Sequence, residues 1–172
     1  MKTQKFEVVA AESNIDWVGK KVTGAHNGTI NVKEGEVSLN NGEIESGKFI
    51  IDTTSIKILD VIDPETNSQF WGHLASDDFF SLEKYPEASL NIASVSGKHV
   101  KGDLTIKGIT HPVDFEINLE LNGEVLTATG KLIIDRTKYG MKFRSANFFE
   151  NLGDLMIFND FELNVSLTAK AA

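Results

Sequence analysis

The chain has 172 residues, 41% apolar and 24% charged, the balance of one globular domain rather than a disordered segment. Its 17 basic and 25 acidic residues give a net charge of −8. That excludes a general nucleic-acid binder, which needs a basic face to displace counterions. There is no cysteine, so disulfides, thiolate metal sites and thiol nucleophiles are excluded as well.

The first residues, Met1–Glu7, contain no long apolar stretch. No signal peptide is therefore expected, and the chain as written reads as cytoplasmic, or periplasmic if a leader has been removed. The longest apolar runs are four residues, as in Val8–Ala11 and Leu155–Phe158, so no integral membrane segment is expected. Residues 1–172 read as a single domain.

Period-two alternation dominates from the start of the chain. Candidate strands lie at 4–10, 14–19, 27–39 and 43–53, with Asn40-Asn41-Gly42 as the turn between the last two. Asp63-Pro64-Glu65 then supplies an N-cap, a first-turn proline and an acidic residue suited to the helix dipole. The spacing predicts a short helix over 64–75, with a further turn or two over 76–81. Pro86 marks the return to strand. Strands are predicted at 87–95, 99–107, 112–121 and 124–134, joined at Ser96-Gly97-Lys98 and Asn122-Gly123 by turns in which glycine supplies a positive φ. A second helical turn is expected near 147–152, and a last strand over 157–169.

The alternation is sharp. Val113, Phe115, Ile117, Leu119 and Leu121 interleave with Asp114, Glu116, Asn118 and Glu120. One face is buried and the other wet, as in antiparallel sheets. Eight or nine such strands must hide their apolar faces in a closed barrel or a sandwich, and a barrel of about eight strands is wide enough for one small ligand. Ala88, Gly102, Ala128 and Gly130 are small residues on apolar faces. They either leave room inside or sit opposite larger side chains that fill it.

No phosphate-binding glycine loop, nucleophile elbow, HExxH or EF-hand motif occurs, which lowers the expectation of an enzyme. His26, His73, His99 and His111 form no close pair in sequence, and no metal site is expected from them. Asp77 and Asp78, followed by Phe79 and Phe80, read as a cap whose aromatics plug the core, with acid–base work as the alternative. Arg136, Lys138, Lys142 and Arg144 fall within nine residues of an otherwise acidic chain. They suit either an anionic head group at a cavity mouth or a solvated loop with one ion pair to Asp135.

The motifs form an ordered set. Ser13-Asn14-Ile15-Asp16-Trp17 is followed by Gly24-Ala25-His26-Asn27-Gly28-Thr29-Ile30 and Gly47-Lys48-Phe49-Ile50-Ile51-Asp52. His73-Leu74-Ala75-Ser76-Asp77-Asp78-Phe79-Phe80 and Tyr85-Pro86-Glu87-Ala88 come next. Gly102-Asp103-Leu104-Thr105-Ile106-Lys107-Gly108-Ile109-Thr110 and Asp135-Arg136-Thr137-Lys138-Tyr139-Gly140 complete it. From about residue 5 to residue 169 the chain resembles the YceI-like family of bacterial lipid-binding, or polyisoprenoid-binding, proteins.

The resemblance implies an all-β, antiparallel, lipocalin-like barrel of about eight strands with a helical insertion near 64–81. It implies binding of an isoprenoid lipid, such as a polyprenyl phosphate or a quinone tail, by a carrier or sequestering protein that is not an enzyme. The lipid is the expected ligand and no cofactor is expected. Exposed strand edges could support a homodimer.

A hydrocarbon tail must be held by apolar area. By alternation, the expected lipid-contacting residues are Ile30, Val32, Phe49, Ile51, Leu90, Ile92, Leu104, Ile106, Phe115 and Ile117. Trp17, Phe70, Leu74, Phe79 and Phe80 are expected around one end or lid. Arg136, Lys142 and Arg144 are the expected head-group residues. A carrier of another apolar molecule, such as a fatty amide or a carotenoid, stays open, as does a lipid-acting enzyme using His26, His73 or Asp77 and Asp78.

Overall fold

A computed structural model describes residues 3–21, 24–76, 79–141 and 157–171. Among the described residues there are nine strands: β1 (Thr3–Val8), β2 (Asn14–Lys21), β3 (Gly24–Asn40), β4 (Glu43–Ile58), β5 (Glu87–Ser96), β6 (His99–Ile106), β7 (Ile109–Asn122), β8 (Val125–Asp135) and β9 (Ile157–Ala171). One helix, α1 (Pro64–Ala75), separates β4 from β5. Every pairing is antiparallel, and the ladder runs β2-β9-β8-β7-β6-β5-β4-β3 before closing on β2. The result is a closed eight-strand barrel with one extra strand.

The extra strand is β1. It pairs with the far end of β3 (Phe6 opposite Val37) and with the end of β9, in line with β2. The two are one barrel position interrupted by a 3₁₀ turn at Ala10–Glu12. Ser13 splices the break: its hydroxyl donates to the Val9 carbonyl at 2.8 Å, and its Oγ accepts from the Thr168 amide at 3.1 Å.

The hairpin turns follow the chain's glycines. Asn41 and Gly42 both have positive φ (54° and 83°), as do Lys107 and Gly108 (54° and 73°), the geometry of a type I′ turn. The second turn starts β7 at Ile109, three residues before the expected start at Pro112. Proline is tolerated there because β7 pairs with β6 over 109–116 and with β8 only over 117–122. Pro112 therefore lies where β7 has one neighbour, and its missing N–H breaks no ladder.

Asp63 caps α1 as predicted, accepting from the Thr66 amide at 3.0 Å and the Thr66 hydroxyl at 2.6 Å. The helix buries no residue and is tied to the barrel rim by side chains. Asn67 Nδ2 donates to the carbonyls of Ile58 (2.9 Å) and Val61 (3.0 Å). Trp71 Nε1 donates to Ile56 O at 2.8 Å. The segment that follows turns back on the helix end through Phe80 N to Leu74 O and Leu82 N to Ala75 O. A further 3₁₀ turn, Arg136–Tyr139, follows β8, capped by the Asp135 carboxylate on Thr137. The turn expected near 147–152 lies outside the described residues.

Candidate functional site

The inward faces of the strands do not meet. They enclose a cavity of about 730 Å³, within the range of small-molecule sites. Along β9 it runs from Phe161 to Ala169. That is about 26 Å of strand at about 3.3 Å per residue, or roughly 20 Å of depth at the strand tilt usual in barrels.

The lower end is filled. Phe6, fully buried, and Leu39 pack with Val37, Leu126 and Ala169. The upper end carries α1, the turn after it and the Arg136–Tyr139 turn. Polar groups on the wall gather at this end: Lys20, His26, Thr53, Thr66, Gln69, His73, Arg136 and Asp160, with Thr129 the exception lower down. Below them the wall is almost entirely aliphatic and aromatic.

Trp17 reaches the cavity from β2, Ile30 and Val32 from β3, and Phe49 and Ile51 from β4. Leu90 and Ile92 come from β5, Leu104 and Ile106 from β6, and Phe115 and Ile117 from β7. Phe70 and Leu74 come from α1, Phe79 and Phe80 from the turn after it, and Arg136 from the 3₁₀ turn that follows β8. Lys142, Arg144, Asp77 and Asp78 lie outside the described residues. Of the small inward residues, Ala88, Ala128 and Gly130 line the cavity. Gly102 does not: a Cβ there would stand 2.9 Å from the Asn91 carbonyl oxygen and 3.0 Å from a Leu90 methyl, so that space is already filled.

Sequence reasoning missed a whole wall and most of the mouth. Leu132 on β8 and Phe161, Leu163, Val165 and Leu167 on β9 line the cavity, and their alternation was visible. Thr66, Gln69 and His73 share the inward face of α1 with Phe70 and Leu74, at the i, i+3, i+4, i+7, i+8 spacing of one helical face.

His26 is held by Asp60. Its Nδ1 lies 2.8 Å from Asp60 Oδ2, while Asn27 N donates to Asp60 Oδ1 at 3.1 Å. Burial pushes the Asp60 carboxyl up, but the hydrogen bonds from Asn27 and His26 outweigh it and hold it below the usual carboxylate range. The imidazole edge meets the Phe70 ring with centroids 4.7 Å apart. The pair thus pins the β4–α1 connection to the start of β3.

On the opposite side of the mouth, Arg136 is 3% exposed. Its Nη1 donates to Met141 O at 2.6 Å, and its guanidinium carbon stands 5.7 Å from the Phe79 ring centre. His73 meets the same ring edge-on, with centroids 5.0 Å apart. Burial lowers the Arg136 pKa to about 10, with the nearby Asp135 acting in the opposite sense. At neutral pH the mouth therefore carries a buried cation beside an aromatic face.

A closed antiparallel barrel with a filled floor, a deep apolar cavity and a polar mouth is a lipocalin-like architecture. Within that class the YceI-like domain description matches residues 6–169. The chain belongs to the YceI-like family.

A UPF0312 protein of Staphylococcus aureus is 35% identical over 85 residues, covering 43% of this chain and 47% of that protein. One of Staphylococcus epidermidis is 34% identical over 110 residues, covering 56% and 63%. The chain thus spans about half the length of the Staphylococcus aureus relative. Burkholderia cenocepacia BcnA superposes with a TM-score of 0.72 at 23% identity, over 95% of this chain and 99% of that one. A polyisoprenoid binding domain from Saccharophagus degradans superposes with a TM-score of 0.69 at 16% identity, over 97% and 98%. These two likenesses establish the shared barrel.

Proposed function

We propose that this barrel binds an isoprenoid lipid, tail downward and head at the mouth, as a carrier or sequestering protein rather than as an enzyme. The observation that carries this reading is the cavity: about 730 Å³, deep, apolar, filled at the floor and polar at the opening. A hydrocarbon tail offers no hydrogen bonds, so its affinity comes from area removed from water, about 25 cal/mol per Å² before ordering costs. The aliphatic and Phe side chains of the wall supply that area without asking for a polar partner. Arg136 at the rim suits a phosphorylated head. The polyisoprenoid-binding description of the Saccharophagus degradans domain agrees with this reading.

The test is mass spectrometry of the purified protein, native and then after organic extraction. A stoichiometric polyprenyl or quinone species is expected, and its mass gives the chain length. A protein that is empty, and that takes up neither added polyprenyl phosphates nor added quinones, would overturn the proposal. A fatty amide or carotenoid in the extract would keep the carrier role and change the ligand.

A further inference from the structure

Large apolar or aromatic side chains that are exposed among the described residues gather at one end of the barrel. Leu59, Ile62, Trp71, Tyr85 and Ile109 all lie in, or directly beside, the connections at the mouth end, between β4 and β5 and between β6 and β7. Ile133 is on the outer face of β8 near its upper end, and Leu121 alone among them lies at the floor end. Exposed apolar residues scattered singly are ordinary; a cluster around one opening is not.

The foremost of them are held outward. Ile62 is 94% exposed, and both its chain neighbours are tied to α1. The Val61 carbonyl accepts from Asn67 Nδ2 at 3.0 Å, and the Asp63 carboxylate accepts from the Thr66 amide at 3.0 Å. Leu59, 59% exposed, gives its N–H to the Asn27 carbonyl at 3.0 Å. Trp71 has its indole N–H satisfied by Ile56 O yet stays exposed, and an indole bonded at one end and apolar elsewhere suits a membrane–water interface. None of the three lines the cavity.

Charge is divided along the same axis. At the mouth end Lys57 lies two residues before Leu59, Lys107 forms the β6–β7 turn, and Lys138 stands exposed on the 3₁₀ turn after β8. Of the carboxylates there, Asp60 is engaged by His26 and Asn27, Asp63 by Thr66 and Asp135 by Thr137, while Glu65 and Glu83 are exposed. At the floor end Glu43 and Glu45 follow the β3–β4 turn and Glu120 and Glu124 flank the β7–β8 turn, with Lys98 at the third turn. A net charge of −8 would by itself keep the protein off an anionic bilayer. The floor, however, lies roughly 20 Å from the mouth, beyond the screening length of about 8 Å at physiological ionic strength. A surface that meets the mouth therefore meets its lysines and apolar rim.

We propose that the mouth end docks on a lipid bilayer. Leu59, Ile62 and Trp71 enter the head-group region and the rim lysines meet anionic head groups, so that a lipid passes between membrane and cavity without exposing its tail. Each methylene carried through water instead would raise the barrier to entry. The inference rests on the lipid-binding reading above and adds the surface from which the lipid is taken.

The test uses the full chain with vesicles of phosphatidylcholine alone and of phosphatidylcholine mixed with phosphatidylglycerol, read by co-flotation. Wild type should float with both and bind the anionic mixture more tightly. Ile62→Asp should weaken binding to both by about tenfold, the scale of one buried aliphatic side chain. Lys57→Gln should weaken binding to the anionic mixture by about fivefold, the scale of one lysine near such a surface, and leave phosphatidylcholine unchanged. Leu121→Asp, the same kind of change at the floor end, should bind as wild type. Amide exchange of wild type on vesicles needs no variant: residues 59–71 should slow, and the β3–β4 and β7–β8 turns should not.

A wild-type protein that takes up farnesol in solution but floats with neither vesicle would overturn the docking, leave the lipid reading standing and assign the apolar rim to a protein partner. Equal losses for Ile62→Asp and Leu121→Asp, or slowed exchange at the floor turns in place of 59–71, would also overturn it. Vesicle binding with the expected variant pattern by a protein that takes up no prenol would instead overturn the lipid reading of the cavity and reduce the rim to a membrane anchor.

Discussion

Arg136 is held in an unusual position for a cation, nearly sealed from water and stacked beside Phe79, yet facing the cavity. A guanidinium so placed interacts strongly with an anion because little solvent competes. Arg136→Gln should weaken a polyprenyl phosphate by about tenfold or more, the scale of a hydrogen bond to a charged group. The matching alcohol should change by less than about twofold. Equilibrium dialysis of the two ligands against both proteins checks this, and equal loss for both would remove Arg136 from the head-group site.

The shifted pKa adds a pH signature. With the Arg136 pKa near 10, its charge is complete at neutral pH. Phosphate-dependent affinity from this side chain should hold through the neutral range and fall as pH rises through about 10. The sign for stability is the opposite. The unfolded chain keeps this proton to the higher pH usual for a guanidinium, whereas the folded chain releases it near 10. Between the two values the unfolded state binds more protons, so this group makes the fold more stable as pH rises. A loss of phosphate affinity there is therefore not unfolding driven by Arg136. Circular dichroism on the same samples separates the two.

At the scale of the element, α1 closes on the barrel end without burying a residue of its own. A twelve-residue helix is marginal in water by itself. Asn67 supplies two of its ties to the β4–α1 connection. Asn67→Ala should speed amide exchange across α1 and raise the rate of ligand release about tenfold, while exchange in β8 and β9 stays at wild-type values. Hydrogen-exchange mass spectrometry with a stopped-flow release assay reads both. Protection of α1 equal to wild type would show that other contacts hold the lid.

The same elements show what the sequence could and could not convey. Asp63-Pro64-Glu65 announced α1, and alternation announced the strands, because capping and two-residue periodicity are local properties of the chain. The Lys107–Gly108 turn escaped notice because Pro112 mimicked a strand start. It is compatible with strand only because β7 lacks one neighbour at that point, which is a tertiary fact. That β1 and β2 share one barrel position is likewise visible only in the register with β3 and β9. For the site, alternation separates inside from outside but does not distinguish a residue facing a void from one facing another side chain. Ala128 lines the cavity whereas Gly102 is filled by Leu90, and nothing in the local pattern of either strand tells them apart. His26 falls between the expected strands 14–19 and 27–39, with no partner near it in sequence. Its partners Asp60 and Phe70 lie more than thirty residues away and meet it only across the mouth.

For the whole molecule, the floor and the mouth make the barrel a measuring device. Packing is native-like where Phe6, Leu39 and Leu126 meet and absent in the space above, so the unliganded wall forgoes the dispersion contacts a filled core would have. Each additional length of tail should then gain affinity until the tail reaches the floor, and no further.

Ala128 stands one inward step above Leu126 on β8, between Leu119 and Leu167 on the neighbouring strands. Ala128→Phe raises the floor without touching the mouth. Short prenols should bind the variant as they bind wild type. Long ones should lose about tenfold or more, because their last units are pushed back toward the polar opening. The melting temperature of the free variant should stay level or rise, since the added ring fills space that was empty. In wild type the thermal shift on saturation should grow with tail length through mass action, and in the variant it should stop growing at a shorter tail. A chain-length series of prenols measured by thermal shift and by titration provides the check. A loss that is the same for short and long tails would mean the tail does not run downward past Ala128, and the tail-down orientation would have to be abandoned.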